Sequence, residues 1–131
     1  MSPRIDFSNV RELTPVPEGE YAATLTGTKL VPEAKESKQP YVEMTFTIAD
    51  GEFAGRKLFR NYSLQPKALW SFKQTLVRLG TDPELLSGEL ELEDVAEIAA
   101  DAIGQPCRLS VGFREYQGNM RNELKEVLSA F

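Results

Sequence analysis

From Tyr41 to Ile48 apolar and polar residues alternate without a break: Val42, Met44, Phe46 and Ile48 on one side, Tyr41, Glu43, Thr45 and Thr47 on the other. Successive side chains of a strand point to opposite faces, so a period of two demands a strand with one face in a core and one toward solvent. The pattern recurs late in the chain. There Cys107, Leu109, Val111 and Phe113 share one side, and Arg108, Ser110, Gly112, Arg114 and Tyr116 the other. The molecule must therefore be built around a sheet that is buried on one side.

The remaining segments supply three more strands and a helical connection. Tyr21, Ala23 and Leu25 alternate with Ala22, Thr24 and Thr26 in a first strand that starts at Gly19 or Glu20 and runs to Leu30. Pro32 to Pro40 is a polar hairpin connection before the second strand. Asp50-Gly51 opens a turn to Gly55, and Arg56 to Leu64 makes a third strand. Its register can be read two ways. With Leu58, Tyr62 and Leu64 in the core, Lys57, Phe59 and Asn61 face out, and Arg60 must reach a barrel end or sit on a bulge. In the reverse register Arg60 and Tyr62 replace Lys57 and Phe59 outside. Pro66 suits the first turn of a helix to Leu79, ended by Gly80, whose Leu69, Phe72, Leu76 and Leu79 form an apolar stripe. Trp70 flanks the stripe and is expected between helix and barrel. Thr81-Asp82-Pro83 signals a further helix start. Val95, Ile98, Ala99 and Ala102 suggest a second helix, ended by Gly104. A fourth strand starts at Pro106, Gln117-Gly118-Asn119 turns the chain, and Met120 to Leu128 returns as a fifth.

Three strands, helices, then two strands is the order of an OB-fold. The expected class is mostly β, a five-stranded OB-fold-like Greek-key barrel with one or two helices between strands 3 and 4. Residues 1–18, rich in turn chemistry at Thr14-Pro-Val-Pro-Glu-Gly19, read as an N-terminal arm, and residues 19–131 as the barrel domain.

The chain contains no His, which removes the commonest general base, the commonest metal ligand and every Ser-His or Cys-His nucleophile pair. A non-enzyme without cofactor or metal is expected. No apolar run approaches the roughly 20 residues of a bilayer span. The start has no secretory pattern, and the lone Cys107 forms no internal disulfide, so a reducing cytosol is the expected compartment. Net charge is −5, yet the stretch from Asp82 to Asp101 holds eight acids and no base. The rest carries 15 Lys and Arg against 12 acids, a local balance of +3. A local field, not the global charge, is what attracts phosphate.

Four segments carry a family likeness: Pro17-Glu-Gly-Glu-Tyr21, Gly51-Glu-Phe-Ala-Gly-Arg-Lys-Leu-Phe59, Asn61-Tyr-Ser-Leu-Gln-Pro-Lys-Ala-Leu-Trp70 and Val111-Gly-Phe-Arg-Glu-Tyr-Gln-Gly-Asn-Met-Arg-Asn-Glu123. Over about residues 5 to 128 the chain resembles a family of small phage and prophage proteins, long catalogued as a domain of unknown function and usually described as phage single-stranded DNA-binding proteins. The resemblance implies an OB-type fold, a place in phage replication or recombination beside proteins of those modules, and no catalysis. The acidic, Phe-ended tail of bacterial single-strand binders has no counterpart in Val127-Leu-Ser-Ala-Phe131.

Non-specific single-strand binding needs cations along a backbone track and flat rings for unpaired bases. The candidate DNA contacts are Lys35 and Lys38 in the first hairpin loop, Arg56 and Lys57 at the start of strand 3, Arg108 and Arg114 facing out of strand 4, and Arg121 after the last turn. The candidate rings are Tyr41, Phe59 and Tyr116. Tyr116 has a rival structural reading, in which it packs on Met120 or the arm. Two other functions stay open: a protein-interaction or virion assembly module that uses the acidic segment 82–101, and a Mg²⁺-dependent nuclease. Self-association into a homo-oligomer is also left open.

Overall fold

The strand Gly19–Val31, β1, has 13 residues and serves two neighbours. The computed structural model describes residues 15–32, 39–116 and 118–130, without the side chains of Tyr116 and Asn119. At 3.3 Å per residue β1 is roughly 40 Å long, more than one flat ladder uses. Its first part pairs antiparallel with β4 (Pro106–Tyr116) from Gly19↔Val111 to Thr24↔Pro106, and its second with β2 (Tyr41–Ile48) from Ala23↔Ile48 to Val31↔Tyr41. A bulge between Leu25 and Gly27 marks the changeover, as expected where a strand must bend. Thr26 occupies it, its hydroxyl 2.8 Å from that of Thr47. β3 (Lys57–Ser63) lies beyond β2, and β5 (Asn119–Ser129) beyond β4. The result is one five-stranded antiparallel sheet in the order β3-β2-β1-β4-β5, with β3 and β5 as its edges.

Two helices lie between β3 and β4: α1 (Leu69–Arg78) and α2 (Leu92–Asp101), with a 3-10 turn at Pro83–Leu86 between them. Asp82 caps that turn by accepting from the Glu84 amide at 2.9 Å. α1 packs against both edge strands, and α2 against β1. Phe72, Leu76 and Leu79 of the predicted stripe are buried, with Ala99 and Ala102 from α2. They meet Val42, Met44, Phe46 and Ile48 of β2 and Leu109, Val111 and Val127 of the other hairpin. Each fully buried side chain of this size contributes about 1.5–3 kcal/mol.

The predicted core differs from the observed one at four places, the first being Leu69 of the stripe, which opens α1 and is 42% exposed. Trp70 is not between helix and sheet: it is 66% exposed. Phe113 keeps the inward parity of β4 but is 39% exposed. The β1 ladder begins at Gly19↔Val111, so β4 runs past the end of β1 and its pairing does not extend over Phe113. Val16, assigned to the arm, is fully buried. Its amide donates to Asn122 Oδ1 at 2.8 Å, and Asn122 Nδ2 donates back to its carbonyl at 2.9 Å. The arm's last residues are thus stitched to β5, while residues 1–14 lie outside the described residues.

Beneath α1 the Thr75 hydroxyl donates to the Tyr62 phenol oxygen at 2.8 Å, both side chains buried. Burial pushes the phenol's pKa up, while the Thr75 hydrogen bond and the Arg60 charge pull it back. Tyr62→Phe keeps the ring and strands the Thr75 hydroxyl, at an expected cost of about 1–3 kcal/mol, read by urea denaturation. Tyr62→Phe with Thr75→Val removes both polar atoms and recovers most of that loss. A double variant no more stable than the single one contradicts this reading.

Candidate nucleic-acid interface

Across β2 and β3 the registers Thr47↔Lys57, Thr45↔Phe59, Glu43↔Asn61 and Tyr41↔Ser63 set the outward rows of the sheet. Leu58 and Tyr62 are buried, so of the two registers read from the sequence the first is observed. Phe59 is 59% exposed. Its cross-strand neighbours are small: Thr45, and beyond it Gly27 of β1. A methyl group on Gly27 would meet the Thr45 side chain at 3.5 Å, an ordinary contact. The ring therefore stands at the side of a low row, where a flat ligand can reach it. Tyr41 lies on the same face, half-buried, four residues away along the ladder or roughly 13 Å.

Arg60 decides what lies beside Phe59. It has inward parity, but β3 is an edge and the guanidinium reaches across the gap to β5. It donates to the Lys125 carbonyl at 3.1 Å, lies 3.5 Å from the Ser71 hydroxyl of α1, and stacks over the Tyr62 ring at 4.9 Å. The β2–β3 ladder is regular, so no bulge carries Arg60; its side chain instead reaches from the edge strand β3 to the edge strand β5. Lys125 occupies the extra position of β5 where the β4 pairing shifts from Ser110↔Glu126 to Val111↔Leu124. Its stem crosses Gly112, where a Cβ would come within 2.3 Å of Lys125 Cε.

Arg114 and Arg121 are direct cross-strand partners near the end of the β4–β5 hairpin. Both are exposed. Like charges placed opposite each other tend to destabilise a hairpin. Between the two edge strands lies an open groove of about 340 Å³, walled by Phe59, Arg60 and Asn61 on one side and Arg114, Asn122 and Lys125 on the other. Glu123 and Leu124 complete its lining. Three cations and an exposed ring thus converge there.

The other predicted contacts are spread out. Arg56 and Lys57 lie at the turn end of β3. Arg108 is six residues from Arg114, roughly 20 Å along β4, and faces Glu20 at 3.5 Å. Lys35 and Lys38 lie outside the described residues, as does the Tyr116 side chain. Sequence reasoning missed Lys125 and the outward place of Trp70. Trp70 shares its side of α1 with Gln74 and Arg78, four and eight residues on, and that polar spacing was the available signal.

Gly112 offers a test of the Lys125 position. Gly112→Ala pushes against the far end of a long side chain, so stability should change by less than about 1 kcal/mol while the ammonium moves off the groove wall. Anisotropy with a labelled oligo-dT strand should then show severalfold weaker binding. Unchanged affinity would remove Lys125 from the site.

Burial pushes the Cys107 thiol up to about 11, so it holds its proton at neutral pH. Among the described residues no three His, Cys, Asp or Glu side chains are grouped to hold a metal, and no helix is long and apolar enough to cross a membrane. A larger hollow of about 430 Å³ lies between α1 and the start of α2, but its lining, including Leu64, Leu69, Phe72 and Leu90, is mostly apolar and offers no array of cations. The family model described as "Protein of unknown function (DUF669)" matches residues 4–129. No curated protein matches the chain significantly.

Proposed function

We propose that this chain, which belongs to the DUF669 family, is an OB-type barrel that binds single-stranded DNA with little base preference and without catalysis. The OB assignment is supported by the element order, by a long β1 shared between two ladders, and by Arg60 linking the edge strands β3 and β5. The function rests on one observation above all: Phe59 opens onto the same groove as Arg60, Arg114 and Lys125. A ring gives an unpaired base a stacking surface worth about 1–3 kcal/mol, and the cations neutralise the phosphates beside it. Such a protein would serve a phage replication or recombination module in the host cytosol.

The acidic segment favours a second reading. Asp82, Glu84, Glu89, Glu91, Glu93, Asp94, Glu97 and Asp101 are all exposed, and Leu90 and Leu92 among them are open as well. A basic protein partner would suit that side of the molecule. Anisotropy with a 5′-labelled oligo-dT strand at two salt concentrations, each with Mg²⁺ and with EDTA, separates the possibilities. The expected result is micromolar or tighter binding, weaker at high salt, with the strand intact in Mg²⁺. A folded protein that leaves the strand free overturns the proposal and turns attention to the acidic side; cleavage in Mg²⁺ alone makes it a nuclease.

A further inference from the structure

We infer that the strand's path does not stop at the β3–β5 groove but continues over the seam onto α1, where Trp70 provides a second stacking platform. This rests on the binding function proposed above and extends its site to a helix face that the outward β2–β3 surface does not include. Beside the first groove lies a second, smaller hollow of about 140 Å³, walled by Arg60, Trp70, Gln74, Arg78 and Lys125 among others. Arg60 and Lys125 belong to both, so the two hollows adjoin along the seam. Arg60 sets the spacing. It follows Phe59 in β3, and its guanidinium is 3.5 Å from the hydroxyl of Ser71, the residue after Trp70. The two most exposed aromatic rings of the described chain, Phe59 and Trp70, thus flank one cation.

The chemistry of that side of the indole favours a nucleic acid. Arg78 is already committed to Glu126 at 2.6 Å and to the Val127 carbonyl at 3.0 Å, which docks α1 on β5. Arg60, which contacts a carbonyl, a hydroxyl and a ring rather than a carboxylate, and Lys125 also line the wall, beside the exposed amide of Gln74. A ring beside two cations and an amide matches a stacked base with its phosphate and its polar edge. The other side of Trp70 borders the apolar hollow of Leu64, Leu69 and Leu90, which would suit a protein segment. An extended strand leaving the Phe59 groove reaches the Arg60 side first.

Trp70 is the one tryptophan in the chain, so its emission reports on this spot alone. An oligo-dT strand of about 15 nucleotides, within the range that one such domain covers, is titrated while label anisotropy and tryptophan emission are both followed. Emission should be quenched in parallel with the anisotropy rise, since a stacked base quenches indole. Trp70→Ala should bind the strand roughly 5- to 100-fold more weakly with its melting temperature unchanged, Trp70→Phe should bind nearly as well as the parent, and Gln74→Glu should weaken binding severalfold. Binding without quenching in the parent protein, or wild-type affinity in both Trp70→Ala and Gln74→Glu, overturns the extension and leaves the Phe59 groove standing. No anisotropy rise at all overturns the binding function itself.

Discussion

Phe59→Ala is expected to weaken binding of an oligo-dT strand by about 1–3 kcal/mol, roughly 5- to 150-fold in Kd, while the salt dependence stays as it was. The ring is mostly exposed and belongs to no core cluster, so its removal leaves no cavity and the melting temperature should hold. Phe59→Trp and Phe59→Tyr retain a flat surface and should bind nearly as well as the parent. Phe59→Leu, apolar without a stacking face, should fall close to Ala. If Leu binds like the parent, the groove uses this position only as grease and stacking is not its role. The comparison is made by anisotropy on preparations whose melting curves have been recorded.

The second large effect concerns charge. Arg114 and Arg121 oppose each other at the hairpin end, and each phosphate contact on a single strand contributes about −0.7 to the slope of log affinity against log salt. Removing both by Arg114→Ala and Arg121→Ala should therefore flatten the slope by roughly 1.4 and weaken binding about tenfold or more at low salt, with the difference shrinking as salt rises. Arg114→Ala alone also relieves the repulsion from Arg121, so its melting temperature should not fall. Affinity and stability then move independently, as expected where a cation pair serves a ligand. A slope unchanged in the double variant would move the ligand off the hairpin.

What could be read from the sequence was what local periodicity controls. The bounds of β2 follow from its unbroken alternation, whereas two registers stay open for β3, and the apolar excess at Leu58, Tyr62 and Leu64 only favours the one observed. Arg114 and Arg121 share a face because the β4–β5 register pairs them directly. What lay beyond reach depends on how edges meet. Nothing local says that Arg60 will cross from β3 to a carbonyl of β5, because the gap it spans arises only when the sheet has formed. Phe113 has core parity but is partly exposed, since β1 begins too late for its ladder to reach that far along β4. Trp70 misled through its size: a large apolar ring one position from an apolar stripe was assigned to the core, although Gln74 and Arg78 marked its side of the helix as polar. That error hid half of the ring inventory at the seam.

The central claim is that unpaired bases, not merely phosphates, are what the Phe59 groove takes up. It is tested most directly by competition: a labelled oligo-dT strand bound to the protein is displaced with unlabelled oligo-dT and, separately, with a hairpin duplex of equal phosphate number at the same salt. Cations alone would treat the two competitors alike, whereas stacking requires bases that are free to leave their pairs. The account predicts displacement by the single strand at concentrations at least tenfold below those needed with the duplex, and a difference that shrinks in Phe59→Ala. Equal displacement by the two competitors would contradict it.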